Sequence, residues 1–315
     1  MFASSIPTKP PYTSKYMPNN KVYSTVTEID FSLDDIDVRA QEHGVLLVSP
    51  ENYDVKYVIN PHMQGKVGTV NKAEAVLQWN YLKEVYLSLG YEVHVIGSNS
   101  EFPDMVFCAN QSFPFINKNG EKTVIISKMS SPYRQGEEIY FDRWYETQQY
   151  HVIRQVSPPV DFEGMGDVLW HPQKRLLYSG YGIRTDETAL QRLANCVECS
   201  VIGLELTDPD FYHLDTALAP LNQNTALYVK EAFTSDGEKL LQHLFDNLIQ
   251  VPYQEAKKGF VANGHCPDGQ HFIVHKGNNH TVEVLKGLNF TVIEVDTSEF
   301  IKSGGSVFCM KMMLP

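Results

Sequence analysis

A chain of 315 residues with 43% hydrophobic and 11% aromatic residues can bury a sizeable core, which excludes disorder along its whole length. Its 38 acidic against 26 basic residues give a formal charge of -12, and with no basic stripe to neutralise phosphates, nucleic acid is excluded as a partner. No apolar run approaches the length of a membrane span or of a signal peptide, so a cytoplasmic protein with no membrane partner is expected.

In chain order, residues 1–40 open on Pro, Ser and Asn and are expected to form a poorly ordered or peripheral leader. A helix is predicted over 71–89, where Ala75, Val76, Trp79, Leu82, Val85 and Tyr86 recur at helical spacing. Strands are predicted over 123–127, 175–178, 226–229 and 271–275, and helices over 187–194 and 237–249. Five cysteines, Cys108, Cys196, Cys199, Cys266 and Cys309, are an odd number and predict reduced thiols. Cys196 and Cys199 have the spacing of half a zinc site, but no second CxxC or HxxxH accompanies them, so their spacing is read as coincidence.

Short β-like runs ending in a polar residue recur: VINP, CANQ, DFEG, FYHL, VANG and VFCM. Their polar members, Asn60, Asn110, Glu163, His213, Asn263 and Cys309, lie 50, 53, 50, 50 and 46 residues apart. Six marks over five intervals predict five units of strands plus a helix, the last strand returning beside the first so that no sheet edge is left open. That is a five-bladed α/β propeller with a pseudo-fivefold repeat of about fifty residues. If each mark ends the innermost strand of its blade, all six side chains converge on one central channel. Asn60 and Asn263 are equally well read as turn formers, whereas a Glu, a His and a Cys in one register are the material of cysteine-nucleophile catalysis.

Cys309 follows Gly304 and Gly305, which let backbone come close to a ligand, so it is read as a nucleophile and not as an inert buried thiol. Strand alternation is expected to put His213 and Asp215 on one face, joining a proton carrier to an anion suited to a cationic substrate. A metal pair is the rival reading, but no further ligands can be placed nearby. Glu163 stands before a glycine turn, Gly164-Met165-Gly166-Asp167, whose acid argues against a phosphate loop.

The ordered motifs VINPHM, PDMVFCAN, RQGEE, FEGMGDVL, GYGIRTD, FYHLDTALAPL and GGSVFCMKMML span most of the chain. Through them the sequence resembles the guanidine-modifying superfamily, the penteins, which includes arginine deiminases, dimethylarginine dimethylaminohydrolases and glycine amidinotransferases. The resemblance implies a single catalytic α/β-propeller domain over residues 41–315, with no metal and no cofactor. It implies Cys309 as nucleophile on a guanidinium carbon, Glu163 and Asp215 as guanidinium-binding acids, and His213 as the proton carrier. Asp104 is similar to the residue that binds the α-ammonium, Arg134 and Arg184 to a carboxylate clamp, and Asn60 to a ligand contact.

At Asn110 many citrulline-forming relatives carry an acid, and the amide resembles the variant of arginine dihydrolases, which release ornithine, ammonia and carbon dioxide. The expected partner is therefore arginine or an analogue, with homo-oligomerisation left open. The alternatives are a deiminase or dimethylarginine hydrolase yielding citrulline, an amidinotransferase, or a propeller-shaped binding module without catalysis.

Overall fold

The computed structural model describes residues 20–154 and 159–315; the part of the expected leader over 1–19 lies outside them. The described residues form five small sheets with helices between their strands, a mixed α/β arrangement. Four of the sheets share one plan, in which an antiparallel pair is extended by a parallel strand reached through a helix. Strands Ser112–Ile116, Lys122–Ile126 and His151–Ile153 follow it, with helix Glu138–Thr147 as the crossover. So do Val168–Trp170, Leu176–Tyr181 and Ser200–Glu205 with helix Glu187–Val197, and Leu218–Asn222, Thr225–Tyr228 and Asn247–Gln250 with helix Ser235–Leu244.

The fourth such sheet joins the two ends of the chain. Met312–Leu314 pairs antiparallel with Gly44–Val48, which pairs parallel with Glu92–Ile96. The central run Gly-Val-Leu-Leu-Val is buried at all five positions, as expected of a strand covered on both faces. Helix Lys72–Ser88 makes the crossover; Asn71 caps it by accepting from the Glu74 N–H, and Ala75, Gln78, Trp79, Leu82, Val85 and Tyr86 form its buried stripe. In the fifth sheet His271–His275 pairs parallel with Thr291–Val295, and a bridge from His265 to Ile273 stands where the first strand would be.

Three expectations need correction. Residues 20–40 are not loose: Val22–Tyr23 adds a parallel strand to Ser200–Glu205, Val38 bridges Lys174, and Tyr23 and Ile36 are buried. The helix expected over 237–249 ends at Leu244, because Leu248 and Ile249 belong to the parallel strand that follows. The polar marks do not end strands. Asn60, Glu163 and His213 each stand at the N-cap of a single helical turn, and Asn263 closes another. Asn110 and Cys309 sit in turns that precede a strand. A turn frees a side chain from the in-and-out alternation of a strand, so consecutive residues there can all face one site.

Among the described residues, no helix is long and apolar enough to cross a membrane. The turn after Glu163 is sterically demanding: Gly164 has φ +51, and a Cβ there would lie 2.3 Å from the Ser112 carbonyl oxygen. Gly164→Ala is expected to lower the unfolding free energy by at least about 1–3 kcal/mol. Thermal melting checks this, and an unchanged Tm would show that the turn is not so constrained.

Candidate active site

Cys309, His213, Glu163, Asp215, Asn110, Asp104, Arg134, Arg184 and Asn60 come from seven separate stretches of chain, and none is more than 9% exposed. All but Glu163 and Asp215 line one narrow cavity of about 20 Å³. Glu163 and Asp215 are its second layer, reached through His213 and Cys309 respectively. A larger cavity of about 350 Å³, walled by Trp170, His265 and Cys266, contains none of these residues.

The Cys309 side chain is held by its neighbours. The Cys309 thiol donates to Asp215 Oδ2 at 3.2 Å and accepts from Asn263 Nδ2 at 3.2 Å. Asn263 Oδ1 in turn accepts from the Ser306 and Cys309 backbone N–H groups, at 2.9 and 3.3 Å. The turn requires its glycines: Gly304 has φ +86, and a Cβ on Gly305 would lie 2.5 Å from the Phe107 ring. Burial, together with the neighbouring Asp215 charge, pushes the Cys309 thiol up, against the hydrogen bond from Asn263. Burial likewise pushes the Asp215 carboxyl up to about 7, which favours a proton between it and the thiol 3.2 Å away.

His213 Nε2 meets Glu163 Oε2 at 2.6 Å, and its Nδ1 lies 3.4 Å from Asn110 Nδ2. Glu163 Oε1 accepts from the Ser130 backbone N–H and hydroxyl at 2.9 and 2.7 Å. Burial would raise the Glu163 carboxyl, but His213, Arg184 and Arg134 hold it well below the usual carboxylate range. The strand alternation expected for His213 and Asp215 is replaced by a helical turn, Leu214–Ala217, on which Asp215 lies. Asp167 anchors this turn by accepting from the Leu214 N–H at 3.0 Å and the Thr185 hydroxyl at 2.6 Å.

The two arginines differ in what they leave free. Arg134 gives Nε and Nη2 to Glu137, Nη2 also to the Asp104 and Phe107 carbonyls, and Nη1 to Asn110 Oδ1 at 2.8 Å. Arg184 stacks over Tyr212, gives Nη2 to the Ile59 carbonyl at 2.9 Å, and holds Nη1 3.7 Å from Glu163. It therefore keeps more donors for a ligand. Asn60 uses both ends of its amide on backbone, accepting from His62 and Met63 and donating to the Ser303 carbonyl at 2.9 Å. Both Asp104 oxygens and Asp215 Oδ1 are buried without a hydrogen-bond partner.

Asn263 was expected at the channel only as one of the six marks, without a role, and Asp167, Ser130, Thr185 and Glu137 were not expected among the site's supports. Only Asn263 carried a signal, its place in the fifty-residue register, and Asp167 and Glu137 lay unassigned inside quoted motifs. Among the described residues, no group of three or more His, Cys, Asp or Glu is arranged to hold a metal ion, and Cys196 and Cys199 are both free thiols.

A family profile described as N,N dimethylarginine dimethylhydrolase, eukaryotic, matches residues 57–314. The chain is 33% identical over 267 residues to the bifunctional arginine dihydrolase/ornithine cyclodeaminase AgrE of Nostoc sp., covering 85% of this chain and 37% of AgrE. It is 34% identical over 266 residues to the N(G),N(G)-dimethylarginine dimethylaminohydrolase of Mycobacterium tuberculosis, covering 84% of this chain and 83% of that one. A solved mutant of the N-terminal domain of ArgZ, bound to substrate and described as an arginine dihydrolase from cyanobacteria, superposes with a TM-score of 0.80 at 30% identity. That match covers 86% of this chain and 97% of the ArgZ domain. The chain spans 37% and 38% of the full lengths of AgrE and of ArgZ from Synechocystis sp.. On the profile match and these identities, and with a mixed α/β fold that matches the solved pentein structures, the chain belongs to the dimethylarginine dimethylaminohydrolase family of penteins.

Proposed function

We propose that this chain hydrolyses the guanidinium group of free arginine through a covalent Cys309 intermediate, releasing ornithine, two ammonia and carbon dioxide. The observation that carries the reading is the pair of orphaned acids: Asp104 and Asp215 are the only carboxylates among the described residues with buried oxygens that no donor reaches. Free arginine presents two cationic ends, an α-ammonium for Asp104 and a guanidinium for Asp215, and Arg184 has donors for the carboxylate. We read the five sheets as blades of a five-bladed α/β propeller that forms a single catalytic domain, to which residues 20–40 contribute as well as the expected span 41–315.

In this reading the guanidinium docks against Asp215 and Glu163, and its charge lowers the cost of forming the Cys309 thiolate. The thiolate adds to the guanidinium carbon. His213 gives a proton to the departing ammonia, leaving an S-alkylthiouronium on Cys309. His213 then takes a proton from water, which adds to the same carbon and displaces the sulfur. The resulting ureido group is neutral, and Asn110 meets it with a neutral amide that both donates and accepts. In a second cycle Cys309 adds to the ureido carbon and ammonia leaves. Water cleaves the S–C bond, and the carbamate of ornithine loses carbon dioxide. The competing reading stops after the first cycle and yields citrulline; the dimethylarginine dimethylaminohydrolase matched over 83% of its own length favours it.

The test is a time course of ornithine, citrulline and ammonia from arginine. Wild type is expected to give ornithine with about two ammonia per arginine, Cys309→Ser to lose at least about a thousandfold in turnover, and Asn110→Asp to give citrulline. Citrulline alone from wild type would establish the competing reading.

Because the resting Cys309 thiol is pushed up, thiolate forms only as pH rises well above neutrality, so iodoacetamide should label Cys309 slowly at pH 7 and faster at every higher pH. A cationic haloacetamidine supplies the missing charge beside Asp215 and should label it at least about tenfold faster at pH 7, a difference of about 1.4 kcal/mol. Equal rates, read by mass spectrometry of the Cys309 peptide, would remove the cation from the activation of the thiol.

Arg184→Ala is expected to weaken arginine by about 1.5–3 kcal/mol while changing agmatine little, since agmatine lacks the carboxylate. Equal losses in kcat/KM would make Arg184 a structural cation only.

A further inference from the structure

We propose that the buried ring Asn110–Arg134–Glu137–Gln111 is a positioning device that fixes which end of the Asn110 amide faces the reacting carbon, and so decides whether the ureido group stays for the second hydrolysis. The inference rests on the dihydrolase reading and adds to it the residues that enforce it from outside the site.

An amide has two ends of nearly equal size and opposite hydrogen-bonding character, and a neutral amide is useful to the second cycle only in one orientation. Arg134 has donors and no acceptor, so the atom 2.8 Å from its Nη1 is the Asn110 carbonyl oxygen. The NH₂ end is thereby directed to the other side, toward His213 Nδ1 at 3.4 Å. Gly166 makes room for it there, since a Cβ at that position would lie 2.1 Å from Asn110 Nδ2.

Arg134 is itself aimed by Glu137. Its Nε lies 3.1 Å from both Glu137 oxygens and its Nη2 2.8 Å from Oε2, while Glu137 Oε2 accepts from Gln111 Nε2 at 2.6 Å. Gln111 is covalently joined to Asn110 and its carbonyl is paired to the Ser127 N–H, which closes the ring on a fixed piece of backbone. All four side chains are at most 4% exposed, so no water replaces a lost member. Burial pushes the Glu137 carboxyl up to about 7, against the opposing pull of the Arg134 cation, and the three contacts from that guanidinium fix its position.

The consequence lies in the second cycle. When Cys309 adds to the ureido carbon, the ureido oxygen gains charge, and the Asn110 NH₂ is the donor the ring presents to it. With the amide reversed, a carbonyl oxygen would face that charge, and the ureido group would leave as citrulline. The first cycle acts on a guanidinium that carries only N–H donors, so it does not need the Asn110 NH₂.

The experiment measures the citrulline-to-ornithine ratio from saturating arginine for wild type, Glu137→Gln and Gln111→Met, with thermal melting of each. Glu137→Gln removes the anion that aims Arg134 and should raise the ratio at least tenfold, by more than total arginine consumption falls. Gln111→Met removes one hydrogen bond at near-constant volume and should move the ratio the same way by a smaller factor; it decides the question if Glu137→Gln does not fold. A purely structural role would lower consumption and leave the ratio where it was, and that result would overturn the proposal. Wild type yielding only citrulline would instead overturn the dihydrolase reading beneath it.

Discussion

Carboxylates without water are the constraint on which this site is built. Asp104, Glu137, Glu163, Asp167 and Asp215 are all at most 2% exposed, and burying an ionised carboxylate is costly unless donors or cations meet it. The chain solves this unevenly. Glu137 has Arg134 and Gln111, Glu163 has Ser130 and His213, and Asp167 has Thr185 and the Leu214 N–H. Asp104 and Asp215 keep oxygens with no donor. The site is thus short of donors at two places, and a ligand with two cationic ends meets both where a ligand without them meets neither.

The same deficit accounts for the protonated state of Cys309. A thiolate beside an ionised Asp215 would put two negative charges about 3 Å apart in a dehydrated pocket, so the proton stays between them. Lys311 relieves this only in part. Its amine is fully buried, lies over the Phe308 ring near Met165, and is itself pulled down to about 7 by burial. Activation therefore waits for charge brought in by the ligand, which ties the reactivity of Cys309 to occupancy by a cation and protects an otherwise idle thiol.

Much of this was legible in the sequence, and the manner of the failures is informative. The helix over 71–89 was legible because its apolar residues keep helical spacing over four turns, and the fifty-residue register located Asn110, Glu163, His213, Asn263 and Cys309 before any geometry was known. The register gave position without conformation: short apolar runs ahead of each mark look like strands, yet Glu163 and His213 each open a single helical turn, the first of them bent by Gly164 at φ +51. Ser130 and Thr185 were invisible because a hydroxyl that serves a buried acid looks like any surface hydroxyl until the acid is placed. Glu137 was invisible for a different reason. An acid three residues from an arginine reads as a surface pair, and only burial of both turns it into a rigid fork.

The cavity of about 20 Å³ has room for little more than a water molecule, so a ligand as large as an amino acid needs its wall to move. The wall over residues 59–63 is tied to the rest of the site by individual hydrogen bonds. The Asn60 amide reaches the Ser303 carbonyl, His62 Nε2 reaches the Asp210 carbonyl, and Arg184 reaches the Ile59 carbonyl. Each such bond contributes roughly 0.5–1.5 kcal/mol net, so opening costs a few kcal/mol, much less than disturbing the fork of Arg134 and Glu137. Arg184 is common to both states. Its donor to Ile59 is the one a substrate carboxylate would claim, so the ligand that enters also removes one of the bonds that hold the wall shut. Recognition of the amino-acid end and access to Cys309 therefore compete for one guanidinium. That competition couples the two ends of the substrate across the site without any change in the fold around it.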